Sequence, residues 1–237
     1  MGRLDLAQTD YATLLKADEL GKSFRIVSGL HRAAPGSFAI AVDPGSRIRT
    51  AADLRKKKIA VPNLTGLGPL ALAAVLERAG LTFQDVLLVE RPYPEMLGAM
   101  GKGQIDAALL VEPYVTIGRE TGRARIVEDA MTGEFANLYT AGMSATDQWI
   151  RANPRTLAAF RRAPAKAQRL IAADPQQVRD ALTRYTKITK ASAAHVATGS
   201  YPAALDPAEL RRVADLARAY GFLDRPADLA NAVAKGG

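Results

Sequence analysis

A regular alternation of short apolar runs and helical segments between residues 58 and 128 most constrains the fold of this chain. The apolar runs are the length of buried strands, and the segments between them carry apolar residues at helical spacing. In chain order, with a strand first and last, the predicted elements are Ile59–Val61, Leu70–Ala79, Asp85–Glu90, Pro94–Met100, Gln104–Val111, Val115–Gly118 and Arg125–Val127. This order predicts an α/β fold with a parallel sheet covered by helices.

The flanking regions differ from each other in character. Ahead of the alternation, the pattern predicts strands over Leu4–Thr9, Phe24–Ser28 and Ser37–Val42, a helix over Tyr11–Leu20 and a loop over His31–Gly36. After it, the pattern predicts one strand over Leu138–Ser144 and then helices over Pro154–Ala172, Pro175–Tyr185, Ser192–Val196 and Pro207–Tyr220. Several of these helices open with a capping residue followed by proline, which suits a helix N-terminus. Within the first of them, Pro164 predicts a kink or a break.

The central loop, Val61–Pro69, reads as a strand, a tight turn and the start of a helix. Gly66 and Gly68 allow the backbone to approach another group closely, and Pro69 suits a first helical turn. The free N–H groups of such a turn, with the Thr65 hydroxyl beside them, favour an anion or a polar acceptor. A Gly-x-Gly turn without dinucleotide or P-loop spacing is equally a capped connection with no ligand.

Composition excludes several chemistries. The chain has 237 residues, no cysteine and only two histidines, His31 and His195. Disulfides, thiolate nucleophiles and Cys-ligated metals are therefore excluded, and a His-rich metal site is not possible. We predict no catalytic residue, no metal and no cofactor. No apolar run is long enough for a membrane span, and the segment Met1–Asp5 lacks a signal-peptide pattern, so a chain that begins at Met1 is expected in the cytoplasm.

The net charge of +8 raises nucleic acid as a partner. The basic residues are interpreted as spread along the chain, with one dense cluster at Arg55–Lys58 that is typical of a solvated helix end. Aromatic residues make up 6% and do not alternate with basic ones. We therefore predict no nucleic-acid partner.

Several segments resemble one protein family. The run Ser46–Pro62 resembles a characteristic segment of type II periplasmic substrate-binding proteins, although Lys56 stands where that family usually has glycine. Further resemblance lies in Ala79-Gly-Leu81, Asp85-Val86, Gly103-Gln-Ile-Asp-Ala107, Glu112-Pro113-Tyr114, Asn153-Pro154, Ala173-Asp-Pro175 and Leu205-Asp-Pro207. From Gly2 to about Ala232, the chain is most similar to the nitrate, aliphatic-sulfonate, taurine and thiamine-pyrimidine-precursor binding components of ABC importers.

The resemblance implies two α/β lobes around a central cleft, with a helical C-terminal region and a hinge of two crossing strands. Lobe 1 would contain residues 1–42 and 138–237, and lobe 2 residues 43–137. Members of this family carry a leader and further strand and helix elements ahead of a Gly-x-Leu-Asp strand. Here that pattern, Gly2-Arg-Leu-Asp5, stands at the start and is echoed by Gly103-Gln-Ile-Asp106. The resemblance thus implies a periplasmic protein whose first lobe is incomplete at its N-terminus.

Ligands in open α/β sheets lie beyond the carboxyl ends of the strands. Applied to the implied lobes, this rule indicates four places: residues 9–11, 31–35, 63–68 and 112–114. The predicted ligand-binding residues are Thr9, Asp10, Tyr11, Arg32, Asn63, Thr65, Gly66, Leu67, Gly68, Glu112 and Tyr114.

Several of these residues also have a structural interpretation. Asp10 is interpreted first as a helix cap, and Tyr11 with Tyr114 first as core. Glu112 either accepts a hydrogen bond from an amine or pyrimidine group or ends its strand. Arg32 is either a counter-ion for an oxyanion or an exposed loop residue. Of the remaining candidates, we expect His31 and His195 at the surface or in caps, and Trp149 and Phe160 in the core.

The resemblance implies a solute-binding protein that closes over a small anion or a pyrimidine vitamin precursor, docks on an ABC permease and acts as a monomer without catalysis. Two alternatives stay open. Enzymes on the same fold, of the pyrimidine-precursor synthase or desulfinase type, rely on Cys or His in the cleft, which this chain scarcely offers. An effector-binding domain of a regulator is expected to carry a helix-turn-helix, and none is visible in the sequence.

Overall fold

Two β-sheets organise the protein. The structure is a computed structural model and describes residues 4–186, 188–202 and 204–234. The strands are β1 Ala7–Asp10, β2 Phe24–Arg32, β3 Phe38–Val42, β4 Lys58–Val61, β5 Leu87–Glu90, β6 Ala107–Val111, β7 Arg125–Asp129 and β8 Tyr139–Thr146. The helices are α1 Tyr11–Glu19, α2 Leu67–Arg78, α3 Tyr93–Gly101, α4 Tyr114–Glu120, α5 Asp147–Ala152, α6 Pro154–Ala173, α7 Gln176–Tyr185, α8 Lys190–Ala193, α9 Pro207–Ala219 and α10 Leu229–Ala232. Short 3₁₀ turns cover Ala51–Leu54, Phe83–Asp85 and Gly133–Phe135.

The smaller sheet has three antiparallel strands in the order β1-β8-β2. β2 runs on through His31 and Arg32, so the loop predicted to begin at His31 is wrong for these two residues. The reason is pairing that the local sequence does not reveal. β8 accompanies β2 as far as Arg32, and on the other side Arg32 exchanges two backbone hydrogen bonds with Ser200, of 2.9 and 3.0 Å.

The larger sheet has five strands in the order β5-β4-β6-β3-β7. β5, β4 and β6 are parallel, as the alternation predicts. The four strands of the alternation all run in the same direction, but the sheet as a whole is mixed, because β3 inserts between β6 and β7 and is antiparallel to both. Phe38–Val42 was predicted to lie in the first lobe, yet it is a central strand of this second sheet. Its pairing partners lie more than 60 residues downstream, beyond the reach of a local pattern.

Alternating side chains give the larger sheet two different faces. One face presents larger side chains such as Ile40, Val42 and Leu109 to the main core, which includes α2 and α9. The other presents Ala39 and Ala41, among other residues, to a second core with α3 and α4. The small alanine side chains allow these helices to pack closely on the sheet.

The helices depart from prediction in a few places. α2 begins three residues earlier than predicted, at Leu67, and α6 runs through Pro164 as one element instead of splitting. α5 and α10 were not predicted. Trp149 and Phe160 are half-buried against the small core around Leu157.

No helix within residues 4–186, 188–202 and 204–234 combines the length and apolar character that a membrane crossing requires. Gly2 and Arg3 of the repeated pattern lie outside the described residues.

Candidate functional site

A cleft of 570 Å³ lies between the two sheets. Its first wall comes from the smaller sheet, with Gln8, Thr9, Asp10, His31, Thr140 and Ala141. The second wall comes from the larger sheet and the segments after its strands, with Phe38, Asn63, Leu67, Gly68, Tyr93 and Glu112 among its residues. Residues of the C-terminal region complete the cleft, namely Val178, Leu182, Val196, Ala197, Thr198 and Tyr201.

Asp10 joins the two walls at one end of the cleft. Its Oδ1 accepts hydrogen bonds from the backbone N–H of Thr13, at 2.8 Å, and of Leu67, at 3.0 Å. The Thr13 hydroxyl donates to Oδ2 at 2.6 Å. The predicted role of Asp10 as the cap of α1 is therefore confirmed. The same carboxylate also lies at the N-terminus of α2, where the partial positive charge of the helix favours it.

Gly66 makes this approach possible. Its φ of +118° is a conformation that side-chain-bearing residues rarely adopt. A Cβ atom here would overlap the Thr13 hydroxyl and lie 3.1 Å from the Asp10 carboxylate. We call Asp10, Thr13, Gly66 and Leu67 the Asp10 corner. The turn that was predicted to hold an external anion is thus occupied, at Leu67, by a carboxylate of the chain itself.

Glu112 makes a parallel set of contacts on the other side. Its Oε2 accepts from the Thr116 backbone N–H at 3.0 Å, and its Oε1 accepts from the Thr116 hydroxyl at 2.8 Å. Oε1 also accepts from the Ala197 N–H, at 3.1 Å. We call Glu112, Thr116 and Ala197 the Glu112 corner. The carboxylate therefore caps α4 and at the same time attaches the segment that follows α8.

His31 lies in the cleft wall, which corrects the expectation of a surface or capping residue. Its Nδ1 is 2.7 Å from the Thr140 hydroxyl, and its Nε2 is 3.0 Å from the Thr198 carbonyl oxygen. The ring packs edge-on against Tyr201. Burial lowers the pKa of His31, and the bond to Thr198 opposes this only in part. The buried imidazole therefore favours its neutral form.

Two tyrosines supply the aromatic part of the lining, Tyr93 and Tyr201. Burial, together with the nearby charge of Asp10, raises the pKa of Tyr93 above its usual range. Burial also raises the pKa of Tyr201. Both hydroxyls therefore remain protonated at neutral pH and can donate hydrogen bonds.

One polar atom in the lining stands out. Asn63 Oδ1 is buried and has no hydrogen-bond partner among the described residues. A buried acceptor without a donor costs free energy, so this atom is suited to a donor that a ligand would bring. Among the residues that line the cleft in the described part of the chain, none is Lys or Arg.

The structure brings six of the predicted residues together in the cleft lining: Thr9, Asp10, Asn63, Leu67, Gly68 and Glu112. The other five lie outside the lining: Tyr11, Arg32, Thr65, Gly66 and Tyr114. Gly66 lies behind the Asp10 carboxylate, and Thr65 is exposed.

The remaining three of those five make structural contacts. Tyr11 is 1% exposed, in agreement with the core interpretation. Tyr114 is half-buried and stacks on Tyr93, with ring centroids 6.3 Å apart. Arg32 lies 4.7 Å above the Tyr139 ring and 3.6 Å from Glu209, so its charge is engaged away from the cleft. Arg32 is therefore not an exposed loop residue, and its charge does not face the cleft in this structure.

Sequence reasoning missed Tyr93, Thr140, Tyr201 and the lining from residues 178–198. Tyr93 follows β5 after two residues, so the rule on strand ends could have found it. No local signal marks the others. Thr140 reaches the cleft through the pairing of β8 with β2, and the residues from 178 to 201 return to it only after the helices α5 and α6.

Comparison with known proteins is consistent with this architecture. A relative in Escherichia coli strain K12, named for the binding of aliphatic sulfonates, is 29% identical over 139 residues. The match covers 57% of this chain and 43% of that protein, so the chain spans less than half of the curated relative.

Two solved structures share the fold. The alkanesulfonate-binding protein SsuA from Xanthomonas axonopodis pv. citri, bound to MOPS, superposes with a TM-score of 0.81 at 23% identity, over 99% of this chain and 82% of that one. A Candida albicans gene product described as having the generic periplasmic binding protein fold gives a TM-score of 0.78 at 10% identity, over 98% and 79%. At these identities the likeness shows the periplasmic binding protein fold alone.

The family comparison covers most of the chain. The family described as NMT1/THI5 like matches residues 1–178 of the 237. The expected relationship to solute-binding proteins of this group is confirmed, and the chain belongs to the NMT1/THI5-like family.

Proposed function

We propose that this chain is a solute-binding component of an ABC importer. It would take up a small solute in the cleft, close its lobes over it and present the closed form to a membrane permease without catalysing a reaction. Family membership, the sulfonate-binding proteins among its relatives and a cleft built from both sheets support this proposal. We further propose that the protein is a monomer and that it works in the periplasm, the compartment that stands in the name of the Escherichia coli sulphonate-binding protein.

Strand pairing suggests where the lobes divide. We propose one lobe around β1, β2 and β8 with the C-terminal helices, and the other around β3 to β7. The first crossing then lies near residues 33–37, upstream of the predicted boundary, because β3 belongs to the larger sheet. The second crossing lies near residues 130–138. Closure would bring the two walls of the cleft together about these crossings.

The ligand is inferred from what the lining lacks. Asn63 Oδ1 has no donor, and this single observation carries the proposal. Asp10 and Glu112 each accept three hydrogen bonds, which leaves acceptor capacity on both carboxylates. Since no Lys or Arg joins them in the described lining, we propose that the solute brings N–H donors. Taurine and aminopyrimidines have such donors, whereas nitrate and methanesulfonate have none.

Ligand-dependent thermal stabilisation tests the proposal. At about 100 times its Kd, a ligand adds about 2.7 kcal/mol, which corresponds to an increase in Tm of about 5 to 10 °C for a chain of this size. We expect this increase with taurine or an aminopyrimidine and not with nitrate or methanesulfonate. An unchanged Tm with all four would refute solute binding for these classes. Equal increases with taurine and methanesulfonate would refute the need for an N–H donor.

Two variants connect the result to the cleft. We expect Asn63→Leu to remove the increase in Tm, because it deletes the unpartnered acceptor while keeping a similar volume. Gln104→Leu is the matched control, since Gln104 is exposed and does not line the cleft. Incubation of the same ligands with the protein, followed by mass spectrometry, should return them unchanged. Turnover of any of them would favour the enzyme alternative.

A further inference from the structure

The net charge of the protein comes from one region. Between residues 151 and 190 the sequence has ten Lys or Arg and only two Asp or Glu, and the rest of the chain has 22 of each. The formal charge of +8 therefore belongs to the stretch that contains α6 and α7. The expectation that basic residues are spread along the chain therefore missed their concentration in this stretch.

Four of these cations lie on one face of α6. Arg155, Arg162, Lys166 and Arg169 follow one another at intervals of seven, four and three residues, which places them within about 60° around the helix. All four are exposed. The row is about 21 Å long, at 1.5 Å per residue. We call these four residues the α6 cation row.

The opposite face of α6 holds the helix on the protein. Leu157 and Gln168 are buried there, and the Gln168 amide donates to the Gly29 carbonyl oxygen of β2 at 2.7 Å. Because this face is anchored, the cation row cannot turn inward. Its only hydrogen bond in the described structure runs from Arg162 to the Ala158 carbonyl oxygen of the same helix, at 3.4 Å. Within the described residues, none of the four cations forms an ion pair.

We propose that the α6 cation row binds the anionic headgroups of a lipid bilayer. A straight row on one exposed helix fits a flat, negatively charged surface, where each Lys or Arg adds favourable energy. Between Arg155 and Arg169 the other exposed residues are Thr156, Ala159, Ala163 and Ala167, and none is aromatic, whereas aromatic anchors dominate specific protein interfaces. The choice of a lipid surface over another polyanion rests in part on the proposed function, which brings the protein to a membrane permease.

Vesicle co-sedimentation tests this inference. The probes are vesicles of phosphatidylcholine alone and of phosphatidylcholine with about one third phosphatidylglycerol, at about 0.1 M salt. We expect the wild-type protein to bind only the vesicles with phosphatidylglycerol, and to be released at about 1 M salt. Combined Arg155→Gln, Arg162→Gln, Lys166→Gln and Arg169→Gln should lower the partition coefficient at least 100-fold, since each cation contributes about five-fold.

A charge-matched control separates the row from net charge. Arg47→Gln, Arg49→Gln, Lys102→Gln and Arg123→Gln remove four exposed cations elsewhere. The partition coefficient of the control should fall by less than about three-fold, as expected from its lower net charge alone. Arg162→Gln with Lys166→Gln alone, expected to lose about 25-fold, serves if the fourfold variant does not fold.

Three results would overturn the proposal: no binding to the anionic vesicles, an equal loss in the control, or wild-type binding to duplex DNA that is tighter than to vesicles and lost in the fourfold variant. The taurine-dependent increase in Tm, measured on the same variants, keeps the two proposals apart. Its persistence without vesicle binding rejects the cation row alone. Vesicle binding without any increase in Tm rejects the proposed function alone.

Discussion

The Asp10 corner and the Glu112 corner are built alike and differ in what they hold. In each, a carboxylate at the end of a strand, on the last residue of β1 or directly after β6, accepts from a backbone N–H in the first turn of the next helix. In each, the Tyr-x-Thr sequence follows, and the threonine hydroxyl donates to the same carboxylate, at 2.6 and 2.8 Å. The short sequence echo ahead of the two strands therefore continues into a shared corner.

The difference lies in the second partner. Asp10 accepts from Leu67 at the N-terminus of a 12-residue helix, and Glu112 accepts from Ala197 in an irregular segment. A helix N-terminus offers several aligned N–H groups with partial positive charge, whereas a lone amide offers one dipole. The same local motif thus joins the walls of the cleft more strongly at one end. Four predictions test this difference.

The largest effect is expected from two glycines, Gly66 in the Asp10 corner and Gly199 beside the Glu112 corner. A Cβ on Gly199 would overlap the Arg32 carbonyl oxygen, which is backbone, and φ there is +64°. We expect Gly199→Ala to lower the free energy of unfolding by about 3 to 4 kcal/mol. Gly66→Ala should lower it by a smaller amount, about 2 to 3 kcal/mol, because the Thr13 side chain that it meets can rotate away. Urea unfolding measures both. Gly36→Ala, with φ of +78° and no neighbour within 4 Å, should cost only about 1 kcal/mol.

Removal of each carboxylate tests the corners directly. We expect Asp10→Ala to cost about 2 to 3 kcal/mol, because it unpairs two helix N-termini, and Glu112→Ala about 1 to 2 kcal/mol. The double variant, compared by urea unfolding, should be additive within about 0.5 kcal/mol, because the corners share no residue. A larger cost at Glu112 would reverse our ranking of the two corners.

The threonine hydroxyls should contribute less. Thr13→Val and Thr116→Val each remove one hydrogen bond to a carboxylate and keep the shape, so we expect a loss of about 1 kcal/mol for each. Thr121→Val is the control, because its hydroxyl bonds only to the backbone of its own helix. If the control cost as much as the other two, the carboxylates would not be the reason for the loss.

The smallest effect concerns pH and His31, which holds the segment next to the Glu112 corner through Thr198. Burial lowers its pKa, so the unfolded chain takes up this proton first as the pH falls below the ordinary value of about 6.5. The contribution of His31 to the free energy of unfolding is therefore fully present above about pH 6.5. It decreases as the pH falls further, by at most about 1.4 kcal/mol per pH unit. Urea unfolding should show a steeper loss between neutral and mildly acidic pH for the wild type than for His31→Asn. Equal slopes would contradict this assignment.

Much of the architecture was predictable from short stretches of sequence. The strand and helix order between Lys58 and Asp129, the cap at Asp10 and the helical C-terminal region follow from apolar spacing and capping residues that lie within a few positions of each other. Six of the eleven predicted site residues line the cleft. Four of them, Asn63, Leu67, Gly68 and Glu112, follow the parallel strands β4 and β6, whose carboxyl ends meet at one edge of the sheet, whereas Thr9 and Asp10 end β1 of the antiparallel sheet.

Interactions between near neighbours follow from the order of the residues: where elements begin, which faces are apolar and which carboxylates can cap. Three other features come only from long-range packing: β3 inserts between β6 and β7, Asp10 lies at the N-terminus of a helix 57 residues away, and His31 faces a cleft. Packing also left the α6 cation row exposed, although the shared face of its four residues already follows from their helical spacing. These outcomes depend on which distant backbone and side-chain groups meet after packing, and no local pattern of residues contains that information.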